Sequence, residues 1–141
     1  MEAIATATAA DPNVYLDTPR IRVSWDPHLR CIRLEYREWH TTQELDIGME
    51  AFLRALEEHA ATRCLSDSRF RRVIQPDAQR VLTERWIPQA AAQGLRRLAI
   101  VLPQSQLTRT TLEPVVTVYR AYVEVATFGS VETAEAWLAA G

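Results

Sequence analysis

Cys31-Ile32-Arg33-Leu34-Glu35-Tyr36-Arg37 alternates apolar and charged side chains at period two, so it reads as a strand that buries Ile32, Leu34 and Tyr36 and turns Arg33, Glu35 and Arg37 outward. Thr41-Thr42-Gln43-Glu44 follows with the spacing of a capping box, in which Thr41 accepts from the Glu44 backbone and the Glu44 carboxylate reaches back. A helix is expected from there, with Leu45, Met49, Phe52, Leu53, Leu56 and Ala60 on one stripe and Glu50, Arg54, Glu57 and Glu58 facing water. Arg63-Cys64-Leu65-Ser66 is then a short strand. Strand, capped helix and strand in that order imply a crossover onto a parallel sheet.

Upstream, Val14-Tyr15-Leu16 and Ile21-Arg22-Val23-Ser24-Trp25 read as strands. Asp26-Pro27-His28 is a turn, Pro fixing φ and Asp able to bond back to the chain, so the second of these strands forms an antiparallel hairpin with the Cys31 strand. Downstream, Pro76-Asp77 opens a second helix whose apolar residues are Val81, Leu82 and Trp86. Pro88 removes a backbone donor, which predicts a kink or break near Trp86, and Gly94 suits the helix end. Leu98–Leu102 is an apolar run of buried-strand length. A helix around Leu112–Tyr119, a strand over Tyr122–Thr127 and a last helix capped by Ser130, with Val131, Ala134, Trp137 and Leu138 inward, complete the pattern. The expected class is α/β: a single domain over residues 13–141 with a mixed sheet, an N-terminal antiparallel hairpin and then alternating helices and strands.

Composition narrows the function. The 141 residues are 48% hydrophobic and 24% charged, which suits one ordinary globular domain with a core that needs no staples. Sixteen basic against eighteen acidic residues leave a formal charge of −2, so the field that gathers phosphates around a nucleic-acid binder is missing. Every basic residue is Arg, which excludes Schiff-base lysine chemistry and a Gly-Lys-Ser/Thr phosphate loop. With glycine only at 48, 94, 129 and 141, no dinucleotide fingerprint or Gly-x-Ser-x-Gly elbow is present. Cys31 and Cys64 lie in strand patterns and are expected to be free and buried. The first ten residues carry Glu2 and lack a basic region, a poor signal peptide, and residues 1–12 are expected to form a flexible tail. No run approaches a membrane span, and the expected location is cytoplasmic.

The order Tyr15…Trp25-Asp26-Pro27, Cys64-Leu65-Ser66-Asp67-Ser68-Arg69, Asp77…Trp86-Ile87-Pro88, Gly94-Leu95-Arg96-Arg97-Leu98-Ala99-Ile100-Val101-Leu102-Pro103 and Ala136-Trp137-Leu138 resembles the STAS-like family. More narrowly it is similar to small stand-alone bacterial proteins related to sporulation anti-sigma-factor antagonists, a group mostly without assigned function. The resemblance runs from Asn13 to the end and implies a partner-switching regulator. In that family a serine within an Asp-Ser-Ser-Gly segment is phosphorylated by an anti-sigma kinase. The matching positions here read Asp77-Ala78-Gln79-Arg80 or, shifted upstream, Asp67-Ser68-Arg69-Phe70. Neither restores the phosphoserine switch, so the resemblance implies the fold and an interaction edge without it.

The densest polar cluster is Asp67, Ser68, Arg69, Arg71, Arg72 and Asp77, placed just beyond a strand's carboxyl end where α/β sheets hold ligands. Its guanidiniums suit an anion or a partner, reading a carboxylate or phosphate, and the alternative reading is an Asp67–Arg ion pair that pins the loop. Trp39 and Trp86 are candidate pocket or interface aromatics, each also readable as a packing residue. His28, His40 and His59 lack partners at metal or hydrolase spacing, so no metal, cofactor or catalytic residue is assigned. The sequence therefore points to a non-enzymatic protein-interaction module, with a second copy of itself as one candidate partner. A small apolar or anionic ligand carrier is the alternative, and an enzyme using Asp67 or Asp77 a third.

Overall fold

The computed structural model describes residues 11–141. The expected N-terminal tail therefore lies outside the described residues except for Asp11 and Pro12, where the Asp11 carboxylate accepts the Asn13 amide at 2.9 Å. Strands β1 (Val14–Asp17), β2 (Ile21–Asp26), β3 (Cys31–Tyr36), β4 (Arg63–Asp67), β5 (Arg97–Val101) and β6 (Glu124–Phe128) form one six-stranded sheet in sequential order. The first three are antiparallel neighbours and β3 to β6 are parallel. The turn between β2 and β3 forms as expected, the Asp26 carboxylate accepting the His28 and Leu29 amides.

Helix α1 (Thr42–His59) links β3 to β4, and its capping box closes in both directions between Thr41 and Glu44. Ala60 does not extend the apolar stripe. It is the left-handed C-cap, φ 48°, and is exposed because the chain turns there to enter β4. Helix α2 links β4 to β5 in three continuous segments: Pro76–Arg80, a π-helical stretch Val81–Trp86, and Ile87–Ala92. Within it the Ile87 amide reaches the Leu82 carbonyl, five residues back. The proline at 88 offers no N–H to the Glu84 carbonyl and would collide with it. Widening the helix just before the proline relieves both faults, so the helix bulges instead of breaking.

Helix α3 spans Gln106–Tyr119, starting six residues before the expected Leu112, with the Ser105 hydroxyl accepting the Thr108 amide. Strand β6 begins at Glu124, after an exposed Tyr122. Helix α4 (Val131–Ala140) is capped by Ser130 as expected, with Ala134 and Leu138 buried.

Successive right-handed crossovers that all advance across a sheet in one direction put their helices on one face. Accordingly α1, α2 and α3 share the larger core with the inward residues of the strands, including the cross-sheet row Ile32, Cys64, Leu98, Val125. The other face carries the smaller cluster Cys31, Leu65, Ala99, Val101, Ala134 and Leu138, covered by α4. Both cysteines are free and buried, on opposite faces of the sheet. No helix among the described residues is long and apolar enough to cross a membrane.

Candidate functional site

The parallel strands β3 to β6 deliver their chain exits to one end of the sheet, and those after Tyr36, Asp67 and Val101 concern the site. The loop after β4 is stitched there by backbone bonds, Ser68 N–H to the Val101 carbonyl at 3.0 Å, Arg71 N–H to Ser68 at 3.1 Å, and Gln104 N–H to Arg69 at 3.1 Å. It borders a cleft of about 340 Å³ lined by Arg37, Glu38, Arg69, Arg71, Arg72 and, from the start of α3, Ser105.

The four guanidiniums are not equivalent. Arg69 grips Asp67 with its side-on fork, Nε to Oδ1 at 3.0 Å and Nη2 to Oδ2 at 2.8 Å, while the Arg69 amide also donates to Oδ1. That hydrogen bonding holds Arg69 above its usual pKa. The ion-pair reading of this loop is thus correct for Arg69. Arg37 meets Asp17 at 2.8 Å and Glu35 at 3.7 Å. Arg72 is exposed and stands 4.0 Å from Glu38.

Arg71 turns inward. It is 4% exposed, with its guanidinium carbon 3.6 Å from the Tyr36 ring centroid, and its Nε and Nη2 are buried without a hydrogen-bond partner. The Ser68 hydroxyl, in the same turn, is also buried and unpartnered. Around this guanidinium the titratable groups are held neutral: burial pushes the Tyr36 phenol up against the pull of the Arg71 charge, and burial raises Tyr119 well above its ordinary value.

The remaining candidates lie elsewhere. Asp77 is at the exposed start of α2, paired with Arg80, and borders a separate depression with Thr42 and Asp46. Trp39 is partly exposed and outside the cleft lining, its carbonyl accepting from Arg20 at 2.9 Å. Trp86 is a core residue, edge-on to Phe52 at 4.9 Å, with its indole N–H unpartnered. His59 ends α1 stacked flat on Trp25 at 4.2 Å, with Tyr15 Oη 2.9 Å from its Nε2. A larger groove of about 480 Å³ runs between α3 and β6, but its arginines are engaged: Arg109 donates to the Pro103 carbonyl and Arg120 to the Val125 carbonyl. Among the described residues no three His, Cys, Asp or Glu side chains stand together as metal ligands.

Sequence spacing could not separate Arg71 from Arg69 and Arg72. The available signal was Tyr36, an inward aromatic at the end of the neighbouring strand, on which a guanidinium can stack. Comparison with known protein families, with curated proteins and with solved structures finds no match.

His40, just before α1, faces the same region; its Nδ1 is 3.2 Å from the Thr41 carbonyl and its ring 5.7 Å from that of Tyr36. Burial, helped by the Arg71 charge, lowers its pKa from 6.5 to about 4. The unfolded chain therefore takes up a proton near 6.5 that the folded protein accepts only near 4. Stability is expected to be untouched by this group above that window and to fall as pH drops through it. Urea midpoints at the two ends of the window should show a smaller difference for His40→Gln than for the parent, and an equal difference would rule His40 out as the cause.

Proposed function

We propose that this chain is a non-enzymatic, cytoplasmic regulatory module of STAS-like type that binds a protein partner, a second copy of itself included, through the edge formed by the loop Asp67–Arg72. The reading rests on one observation: four arginines border a cleft at the carboxyl ends of β3, β4 and β5, on a protein whose formal charge is negative. Such an edge favours an acidic patch or anionic group. The family's phosphoserine has no counterpart at Ala78 or Gln79, so the expected regulation is by occupancy of this edge. An acid–base enzyme is less well supported, since both Asp67 oxygens are taken by Arg69 and Asp77 is exposed beside Arg80.

Arg72 gives the clean test because it is 65% exposed and weakly paired. Arg72→Ala should leave the melting temperature almost unchanged, an exposed pair contributing at most about 1 kcal/mol. Arg72→Glu should reduce capture of partner from the source cell and weaken its dependence on salt. Full capture by Arg72→Glu would overturn the edge as the interface. Arg69→Ala is less informative, since it leaves the Asp67 carboxylate, 13% exposed, without its fork and should cost about 1 kcal/mol in stability by itself. Native mass spectrometry of the purified chain would report self-association and any retained small molecule together. The ligand-carrier alternative is favoured, in its anionic form, by the unpaired Arg71.

A further inference from the structure

The structure assigns to Arg71 the role of a carboxylate receptor: we infer that its Nε and Nη2, buried in the free protein, take one carboxylate group, side-on and bidentate, as the loop Asp67–Arg72 shifts to admit it, with the body of the acid lying in the adjoining cleft. The inference rests on the reading of that cleft as the binding edge and adds what it binds. The Tyr36 ring lies against the guanidinium, its centroid 3.6 Å from the guanidinium carbon, while Nε and Nη2 are buried without a hydrogen-bond partner. The two unpartnered nitrogens, Nε and Nη2, are the pair that together form the side-on fork. Two residues earlier the same fork, on Arg69, is filled by the Asp67 carboxylate. Arg71 is thus the unfilled copy of an interaction this loop already makes.

Charge balance selects the class of anion. Arg37 faces Asp17 and Glu35, Arg69 holds Asp67, and Arg72 stands by Glu38. Among the described residues no carboxylate lies within 4.0 Å of Arg71, which leaves one uncompensated buried charge and one unpartnered fork. A planar monoanion with two oxygens matches both, whereas the second charge of a phosphate dianion could be met in this cleft only by Arg72, which already stands 4.0 Å from Glu38. The buried Ser68 hydroxyl, in the same turn, is a further donor without a partner.

The carboxylate can come from a small acid or from an acidic side chain of a partner, and the experiment separates the two. The full chain is titrated with acetate, with a hexaglutamate peptide and with inorganic phosphate, at constant ionic strength set by chloride. The readouts are melting temperature and the Arg side-chain Nε–H resonances. Acetate is expected to raise the melting temperature and shift the Arg71 Nε–H signal if a free acid is the source. The peptide alone doing so places the carboxylate on a partner.

In Arg71→Lys, which keeps the charge and loses the fork, binding should weaken at least about tenfold, the loss of one charge-assisted hydrogen bond. In Arg71→Met the response should vanish, and without any carboxylate this variant should melt no lower than the parent, since an unpaired buried charge has been removed. If Arg71→Met fails to fold, Arg71→Lys alone decides. Phosphate binding in place of both carboxylates, or carboxylate binding unchanged in Arg71→Lys, overturns the assignment. Arg72→Glu retaining the acetate response while losing its partner would leave the receptor intact. Loss of the acetate response in Arg71→Lys with partner capture unchanged would leave the receptor standing and place the partner interface elsewhere on the edge.

Discussion

Phe52→Ala is expected to lower stability by about 3–5 kcal/mol, and the melting temperature by roughly 10–15 °C for a domain of this size. Phe52 is fully buried at the middle of α1 and meets Trp86 of α2 edge-on at 4.9 Å; Trp86 in turn packs on Tyr119 of α3 at 5.4 Å. One aromatic chain therefore ties together the three crossover helices on the larger face. Truncation loses both the apolar surface of the ring and the contacts around the hole it leaves, and Trp86 cannot simply move in because Pro88 and the π-helical stretch fix its helix. Phe52→Leu fills most of the space and should cost only about 1 kcal/mol. Urea denaturation compares the two. A loss under about 1 kcal/mol for the alanine variant would mean that the three helices do not converge on this ring.

The parts of the fold that were readable are those in which local pattern and tertiary burial agree. Ile32, Leu34 and Tyr36 alternate because one side of β3 packs under α1, and the Thr41–Glu44 box marks a helix start with two reciprocal bonds. Disagreement explains the misses. The first half of α3 contains Thr108, Thr110 and Thr111, β-branched residues of low helix propensity, and Pro114 sits in its second half. The helix forms nonetheless because Leu112, Val115, Val116 and Tyr119 bury one side, while Thr110 and Thr111 hydroxyls bond back to carbonyls of the same helix. Pro88 was legible as an irregularity. Its form was not, because a bulge is preferred to a break only when Ile87 before the proline and Ala90 after it both have a core to reach. At the candidate site, the location at the strand ends was legible, whereas the division of labour among Arg69, Arg71 and Arg72 depends on which of them finds Asp67, Tyr36 or water.

Leu138→Asp is expected to detach α4 while leaving the rest of the fold in place. The helix is ten residues long, and an isolated helix of that length does not persist in water, so docking and helicity stand together. Its hold includes Ala134 and Leu138 against Leu65, Ala99, Val101 and Cys31, an ion pair from Glu135 to Arg33, and the Arg97 guanidinium 3.8 Å from the Trp137 ring centroid. A carboxylate at 138 would sit unpaired among these apolar side chains, a cost of several kcal/mol. Undocking avoids that cost by giving up one small contact face, and the larger core on the opposite side of the sheet is untouched. The two cysteines report the difference. Cys31, whose thiol burial pushes up to about 12, lies under α4, whereas Cys64 lies in the larger core. In the parent neither should react quickly with a thiol reagent under native conditions. In Leu138→Asp, Cys31 should label faster by orders of magnitude with Cys64 still protected, and Trp137 emission should move to the red. Simultaneous labelling of both thiols would show instead that α4 is part of one cooperative unit with the sheet, and labelling of neither would place Leu138 outside the core.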